Sequence, residues 1–281
     1  DTNAPRVKII EHPDVRRMVL WNKAIVEGSR ALLYRAAFYH DMAEHGPEDK
    51  RERYKGLLDF LTPVCKSYIS DRAFDVTNNA IQIMGGYGYI AEYPVERFMR
   101  DVKIASLYEG TNGIQALDLI GRKLPAKKGA YFQYLLEEME GFAEGAASHP
   151  VLADDIKVFK KQLGRWSDIT LNIAQRGMQG EVLYPIMHAL NYLNATGHIV
   201  VAWLLSEQAC IAADKLQGVL IDNALLGKDA QQAFIEGNAE AKYLHNKIET
   251  ARFFLNQILP EIEATQSRLT SGDTSTLDFI A

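Results

Sequence analysis

The chain has 281 residues, a formal net charge of −5 at pH 7 and 24% charged residues. Its length allows one large domain or two of ordinary size, and its acidic balance offers no broad positive field for a nucleic-acid partner. No apolar run reaches the roughly 18 to 20 residues of a membrane-spanning helix, so we expect a soluble, cytoplasmic protein.

Composition and apolar spacing favour an all-α fold. Alanine, leucine, glutamate and lysine recur over long windows, and only nine prolines interrupt them. Short alternating segments with closely spaced turns, which would indicate strands, do not appear. We therefore predict a mostly helical protein.

The chain opens with two long predicted helices. Apolar residues recur at helical spacing from Asp14 to His45, and Gly46-Pro47 should end this helix because proline cannot extend the hydrogen-bond ladder. A second helix is predicted from about Glu48 to Met84, and Pro63 should kink or divide it. These two helices are expected to form a hairpin.

Two shorter helices are predicted next. Pro94 can begin one that runs through Arg100, and Thr111 or Asn112 can cap another that continues to Leu124. Pro125 and the basic residues around it mark a plausible boundary. We predict one domain over residues 1–126 and a second over residues 127–281.

The second half of the chain predicts a further helix bundle. The expected helices are Tyr131–Ala147, Ala153–Gln179, Val182–Gln217 and about Asp229–Thr265. Gly218 is interpreted as a turn between the last two.

Two loops at helix ends carry the candidate chemistry. Gly85, Gly86 and Gly88 follow the second long helix, where glycine serves either as a helix C-cap or as backbone that a ligand can approach closely. Glu109 precedes Gly110 in the second loop. It is either a solvated loop residue or a general base placed where little side-chain bulk blocks a substrate.

Four motifs occur in a fixed order between residues 82 and 111. They are Gln82-Ile83-Met84-Gly85-Gly86-Tyr87-Gly88-Tyr89, Glu92-Tyr93-Pro94-Val95-Glu96-Arg97, Met99-Arg100-Asp101 and Tyr108-Glu109-Gly110-Thr111. In this order they resemble the acyl-CoA dehydrogenase family, from roughly Val7 to Leu124. Residues 128–281 resemble, with fewer motifs, the helical C-terminal extension of large bacterial members. The 3-methylmercaptopropionyl-CoA dehydrogenase-like subgroup is among these.

The resemblance implies a fold and a cofactor. Residues 1–126 would be the family's all-helical C-terminal domain with its first helix truncated, followed by a helical extension. The cofactor would be FAD, held across a subunit interface of a homo-oligomer. The implied cofactor-binding residues are Gln82, Gly85 and Gly86, which would meet the adenosine diphosphate side of FAD bound by a neighbouring subunit, and Thr111 and Gly113, which would lie beside the cofactor after the base.

The resemblance also implies a reaction. Glu109 would remove the α-proton of an acyl-CoA thioester while hydride passes from the β-carbon to flavin N5, which gives a trans-2-enoyl-CoA. Tyr108 and Gly110 would border the acyl thioester. An electron-transfer flavoprotein would then accept the electrons.

We considered three alternatives to a dehydrogenase: a metal site, an acyl-CoA oxidase and an inactive fragment. The histidines and cysteines show no metal-ligand spacing, so no metal site is predicted. An acyl-CoA oxidase begins with the same proton and hydride removal but passes the electrons to oxygen. The chain could also be a helical assembly fragment that is inactive alone because it lacks most of the flavin cleft.

Overall fold

The computed structural model describes residues 5–280, and every regular element within them is helical, which confirms the predicted all-α class. The first half contains α1 (Pro13–His45), α2 (Glu48–Met84), α3 (Gly86–Tyr89), α4 (Val95–Lys103) and α5 (Asn112–Asp118). The second half contains α6 (Ala130–Gly145), α7 (Ala153–Met178), α8 (Leu183–Met187), α9 (Ala189–Asp222), α10 (Lys228–Gly237), α11 (Ala239–Phe253), α12 (Glu261–Thr270) and α13 (Ser275–Asp278). Turns of 3-10 helix span Ile9–Glu11, Ile104–Ser106 and Ala126–Gly129, and π-helical turns span Leu119–Lys123 and Phe254–Ile258.

Helices α1 and α2 form the predicted hairpin. Pro13 is the first residue of α1, and the chain leaves the helix at Gly46, whose backbone N–H donates to the Met42 carbonyl at 3.0 Å. A connection of only two residues makes the helices antiparallel neighbours, and they pack against each other.

The predicted division at Pro63 is not found. Helix α2 runs unbroken from Glu48 to Met84 with Pro63 inside it. A proline in a helix interior costs about 3 kcal/mol because it removes a backbone donor and crowds the preceding turn. Pro63 is buried, and the adjacent Leu61 and Val64 are fully buried. Tertiary packing therefore maintains the helix through this position.

Two predictions around α9 are wrong. Gly218 lies inside α9 rather than in a turn, and a Cβ there would meet nothing within 4 Å. The predicted helix over 182–217 is divided, since α8 ends at Met187 and α9 begins at Ala189.

The predicted helix over 229–265 is also divided. Asn238 caps α11 by accepting a hydrogen bond from the Ala241 backbone N–H at 3.0 Å. Pro260 then precedes the first residue of α12. Both residue types are local helix-boundary signals, and here they take effect inside a continuous apolar pattern.

Helix α9 is the centre of the bundle. From Tyr192 to Leu205 nearly every side chain is buried, and helices α1, α2, α6, α7, α11 and α12 pack around it. A helix that is apolar on all sides is typical of a protein core. Although α9 is long, no helix within residues 5–280 is both long and apolar enough to cross a membrane.

Two glycines allow α9 to approach the hairpin closely. A Cβ added at Gly197 of α9 would lie 2.2 Å from the Tyr68 ring of α2. A Cβ added at Gly28 of α1 would lie 2.3 Å from a methyl group of Val201. Helix α9 therefore contacts both helices of the hairpin through positions where only hydrogen fits.

A chain of polar groups, buried at Tyr68 and His198 and exposed at Glu261, ties α2, α9 and α12 together. The Tyr68 hydroxyl lies 3.0 Å from His198 Nδ1, and His198 Nε2 lies 3.1 Å from Glu261 Oε2. Burial raises the pKa of the Tyr68 phenol, which therefore stays protonated. Tyr68 then donates to His198, and His198 donates to the Glu261 carboxylate.

The hydrophobic core continues across the predicted domain boundary. Leu57 and Phe60 of α2 belong to the same buried cluster as Phe132 of α6, Trp166 of α7 and Leu193 of α9. The division into residues 1–126 and 127–281 stays a prediction. Residues 1–4 and 281, at the outer ends of these domains, lie outside the described residues.

Substituting Gly197 by alanine should destabilise the protein. The new methyl group would overlap the Tyr68 ring, and overpacking of this kind costs about 1–3 kcal/mol. Gly164→Ala is the control, because a Cβ at Gly164 of α7 meets nothing within 4 Å and alanine favours helix by about 0.5–1 kcal/mol. Denaturant unfolding measures both. Equal stabilities of the two variants would contradict the close α2–α9 contact.

Glu261 should contribute a pH-dependent part of the stability. Its hydrogen bond with His198 is the main factor that holds the pKa of this carboxyl below its ordinary value of 4.5. A depressed folded-state pKa stabilises the fold fully above the unfolded pKa, and this stabilisation is lost as pH falls through the folded value. The difference in melting temperature between wild type and Glu261→Gln should be largest above pH 4.5 and shrink below it. A difference that grows on acidification would contradict this assignment.

Candidate functional site

The loop that carries Glu109 has a strained backbone. It joins the 3-10 turn Ile104–Ser106 to α5, and both Glu109 (φ 54°) and Gly110 (φ 84°) are left-handed. Glycine adopts this region freely, but a residue with a Cβ does so at a cost of order 1–3 kcal/mol. Strain of this kind persists only where neighbouring contacts hold it, so the contacts of the loop are informative.

Two side chains hold consecutive peptide groups of the loop. Lys66 of α2 donates from Nζ to the Gly110 carbonyl at 2.6 Å and to Asn112 Oδ1 at 2.9 Å. Gln115 of α5 donates from Nε2 to the Glu109 carbonyl at 3.4 Å. The carbonyl groups on either side of the Gly110 Cα are therefore both bound.

Asn112 anchors the loop to α2 from beneath. Its side chain is buried, and Nδ2 lies 3.2 Å from the Ser67 carbonyl, 2.9 Å from Ser70 Oγ and 2.7 Å from Asp71 Oδ1. These three groups occupy one face of α2. The amide is thus fully occupied inside the protein and serves to position the loop.

Thr111 is the N-cap of α5 and is one of the two cap residues that the sequence predicts. Its hydroxyl oxygen accepts a hydrogen bond from the Ile114 backbone N–H at 3.3 Å, which is an N-cap contact. Gly113 lies in the first turn of α5 and is exposed. A Cβ added at Gly113 would have only the Thr111 hydroxyl within 4 Å, so the space beside this residue is open.

The outer side of the loop is open. Glu109 is exposed, and its carboxylate pairs with no cation within residues 5–280. The backbone N–H groups of Glu109, Gly110 and Thr111 likewise donate to no acceptor in this part of the chain. The loop and the helical turns on either side of it carry exposed apolar side chains, namely Ile104, Leu107, Tyr108, Ile114 and Leu117. The loop therefore presents one carboxylate and three backbone donors on an apolar surface.

The glycine turn lies at the far end of α2. Gly85 ends the helix with φ 60°, and its backbone N–H donates to the Gln82 carbonyl at 3.2 Å. A Cβ at Gly85 or Gly86 would meet nothing within 4 Å, whereas one at Gly88 would lie 2.7 Å from the Ile81 carbonyl. Gly88 is thus required for packing. Gly85 and Gly86 leave exposed backbone that a ligand can approach.

Helix α2 separates the two loops. It is continuous between Lys66, which contacts the Glu109 loop, and Gln82, which lies beside the glycine turn. Sixteen residues of α-helix at 1.5 Å each span about 24 Å. The structure therefore brings Tyr108, Glu109 and Gly110 together with Thr111 and Gly113, and it leaves Gln82, Gly85 and Gly86 at the other end of the helix.

Three contact residues were not predicted from the sequence. Lys66, Asn112 and Gln115 hold the loop, yet none belongs to the Tyr-Glu-Gly-Thr motif. One signal was available, because Lys66, Ser67, Ser70 and Asp71 form a polar face on an otherwise apolar stretch of α2. Such a face indicates a polar partner but does not identify it. Within residues 5–280, no cluster of three or more His, Cys, Asp or Glu side chains could hold a metal ion.

Two family models match the chain on either side of residues 125–134. Residues 1–124 match "Acyl-CoA dehydrogenase, C-terminal domain", and residues 135–279 match "Acetyl-CoA dehydrogenase C-terminal like".

Curated relatives match nearly the whole chain. A butyryl-CoA dehydrogenase of Syntrophomonas wolfei is 35% identical over an alignment of 281 positions, which covers 99% of this chain and 43% of the relative. A 3-methylmercaptopropionyl-CoA dehydrogenase of Ruegeria pomeroyi is 34% identical over an alignment of 273 positions, which covers 95% of this chain and 42% of the relative. The chain thus spans less than half the length of these relatives.

Two solved structures share the fold. ACDH-11 of Caenorhabditis elegans, in complex with C11-CoA, has a TM-score of 0.59 at 17% identity, over 90% of this chain and 39% of that one. An acyl-CoA dehydrogenase of Bacillus anthracis, complexed with FAD, has a TM-score of 0.52 at 19% identity, over 96% of this chain and 47% of that one.

Removing the Asn112 amide should destabilise the protein. Asn112→Ala would remove the hydrogen bonds that this amide donates to Ser67, Ser70 and Asp71 of α2, at a cost of about 1–3 kcal/mol. Asn78→Ala is the control, because Asn78 is exposed on the same helix and makes no side-chain hydrogen bond within residues 5–280. Denaturant unfolding should show a loss for Asn112→Ala alone. Equal stabilities would exclude an anchoring role.

Proposed function

The chain belongs to the acyl-CoA dehydrogenase family, and we propose that it is the C-terminal portion of an FAD-dependent enzyme that converts an acyl-CoA thioester to the trans-2-enoyl-CoA. The relatives named as acyl-CoA dehydrogenases support this proposal, since they match almost the whole chain. The chain covers less than half of their length, so the complete enzyme would include further domains.

Glu109 is the proposed general base. The observation that carries this role is the strained loop, which side chains of α2 and α5 hold in place and which presents the Glu109 carboxylate on an open apolar surface. The α-carbon of a thioester is a weak acid, and a carboxylate aimed at it is suited to remove the proton. Exclusion of water by the rest of the enzyme would strengthen this interaction.

The backbone of the same loop is suited to polarise the thioester. Negative charge develops on the thioester oxygen as the α-proton leaves, and unpaired N–H donors stabilise such charge. The N–H of Glu109 is one of three in this loop without an acceptor in residues 5–280. Tyr108 and Gly110 flank the base and would border the acyl thioester.

FAD is the proposed cofactor, and when bound it would accept the hydride from the β-carbon. The open backbone at Gly85 and Gly86, beside Gln82, fits a ligand that contacts the main chain closely. Thr111 and Gly113 would contact the cofactor beside the base. Because about 24 Å of α2 separates the two groups, we assign them to different active sites of a homo-oligomer.

The remaining partners follow from the same proposal. An electron-transfer flavoprotein would take up the electrons, and the cytoplasmic location stays a prediction from the sequence. Reduction of added electron-transfer flavoprotein without matching hydrogen peroxide would support a dehydrogenase. Stoichiometric peroxide would instead assign the enzyme as an acyl-CoA oxidase.

Replacing Glu109 by glutamine in the complete protein that contains this chain should abolish most activity. Loss of a general base typically lowers kcat by about 10²–10⁴-fold, while bound FAD should be unchanged. Acyl-CoA-dependent bleaching of flavin absorbance measures the effect. Glu44→Gln is the control, because Glu44 is exposed on α1 and makes no ion pair within residues 5–280. Normal bleaching by Glu109→Gln would refute the assignment.

A further inference from the structure

The charged side chain of Lys66 binds the Glu109 loop and forms no ion pair within residues 5–280. Its ammonium group donates to the Gly110 carbonyl at 2.6 Å and to Asn112 Oδ1 at 2.9 Å, and no carboxylate within residues 5–280 lies within 4.0 Å of it. Hydrogen bonds from a charged donor are shorter and stronger than neutral ones. The shorter contact of Lys66 is to the main chain of the loop.

This contact constrains the direction of a peptide group. In a planar trans peptide the N–H points opposite to the C=O. With the Gly110 carbonyl bound by Lys66, the Thr111 N–H must point away from Lys66. With the Glu109 carbonyl bound by Gln115, the Gly110 N–H must point away from Gln115. Each of these two N–H groups therefore points away from the side chain that binds the carbonyl of its own peptide group.

The same contact supports the strained backbone at the base. Glu109 has φ 54°, which a residue with a Cβ adopts only when its surroundings enforce it. The Gln115 contact is long, at 3.4 Å, and Asn112 contacts α2 rather than the strained residues. Among the side chains that hold the loop, Lys66 makes the shortest bond to its backbone.

We propose that Lys66 is a positioning residue for Glu109, an inference that rests on the proposed function. It touches neither substrate nor reacting atoms. It acts through the Gly110 carbonyl, and it keeps the Glu109 carboxylate and the adjacent backbone donors aligned on the thioester. Small displacements of a reacting group cost large factors in rate, so the effect falls on the chemical step more than on binding.

The kinetic test uses the complete protein that contains this chain. Lys66→Met removes the charge at similar length, and it should lower the rate constant of flavin reduction at saturating acyl-CoA by roughly 10- to 100-fold. The apparent affinity for acyl-CoA should change by less than about threefold. Lys66→Arg retains donors, so it should recover at least about fivefold of the lost rate.

A matched control separates this role from general damage to α2. Lys55→Met makes the same change at an exposed lysine of the helix that forms no ion pair within residues 5–280, and it should reduce flavin at the wild-type rate. A Lys66→Met protein that reduces flavin normally would overturn the proposal. So would a slow Lys66→Met protein that Lys66→Arg does not improve.

A second readout is independent of turnover. Hydrogen–deuterium exchange should rise in peptides covering residues 107–113 of Lys66→Met and stay unchanged in peptides from α9. Unchanged exchange around Glu109 would overturn the proposal even if activity fell. The two proposals fail differently: normal activity of Glu109→Gln would remove the base assignment, while the exchange result would still report whether Lys66 holds the loop.

Discussion

The close approach of α9 to α2 is the contact on which the rest of the structure depends. Gly197 has no side chain, so the Tyr68 ring lies against the backbone of α9, and the Tyr68 hydroxyl begins the hydrogen-bonded chain to His198 and Glu261. This contact fixes one face of α2 against the core. An adjacent face carries Lys66, Ser67, Ser70 and Asp71, which bind the Glu109 loop. The orientation of α2 about its axis therefore sets both its contact with α9 and its contacts with the Glu109 loop.

The site itself combines a rigid inner side with an open outer side. Asn112 and Lys66 connect the loop to α2 from within, while Glu109 and several apolar side chains are exposed and three backbone N–H groups have no acceptor within residues 5–280. A group of exposed apolar side chains is typical of a region that another surface covers. The strained backbone at Glu109 lowers the stability of the isolated fold, and the hydrogen bonds beneath it offset that cost.

Sequence patterns predicted the features that depend on local chemistry. Gly46-Pro47 ended α1, Thr111 capped α5, and long apolar periods located α2 and α7. The failures have tertiary causes. Pro63 does not divide α2 because burial around it outweighs its local preference, and Gly218 stays inside α9, the helix around which the bundle packs. The role of Lys66 could not be predicted, since its partner Gly110 is 44 residues away and helix spacing carries no information about which loop returns to it. The Glu109 role itself stays a prediction that came from the resemblance.

The segment around Lys127 and Lys128 separates the two matched family regions, yet the core does not separate there. Both residues are exposed and left-handed, and Gly129 after them is left-handed as well. Leu57 and Phe60 before this segment belong to the same buried cluster as Phe132 and Leu193 after it. The boundary between the two matched regions is therefore a boundary in the sequence and not in the hydrophobic core.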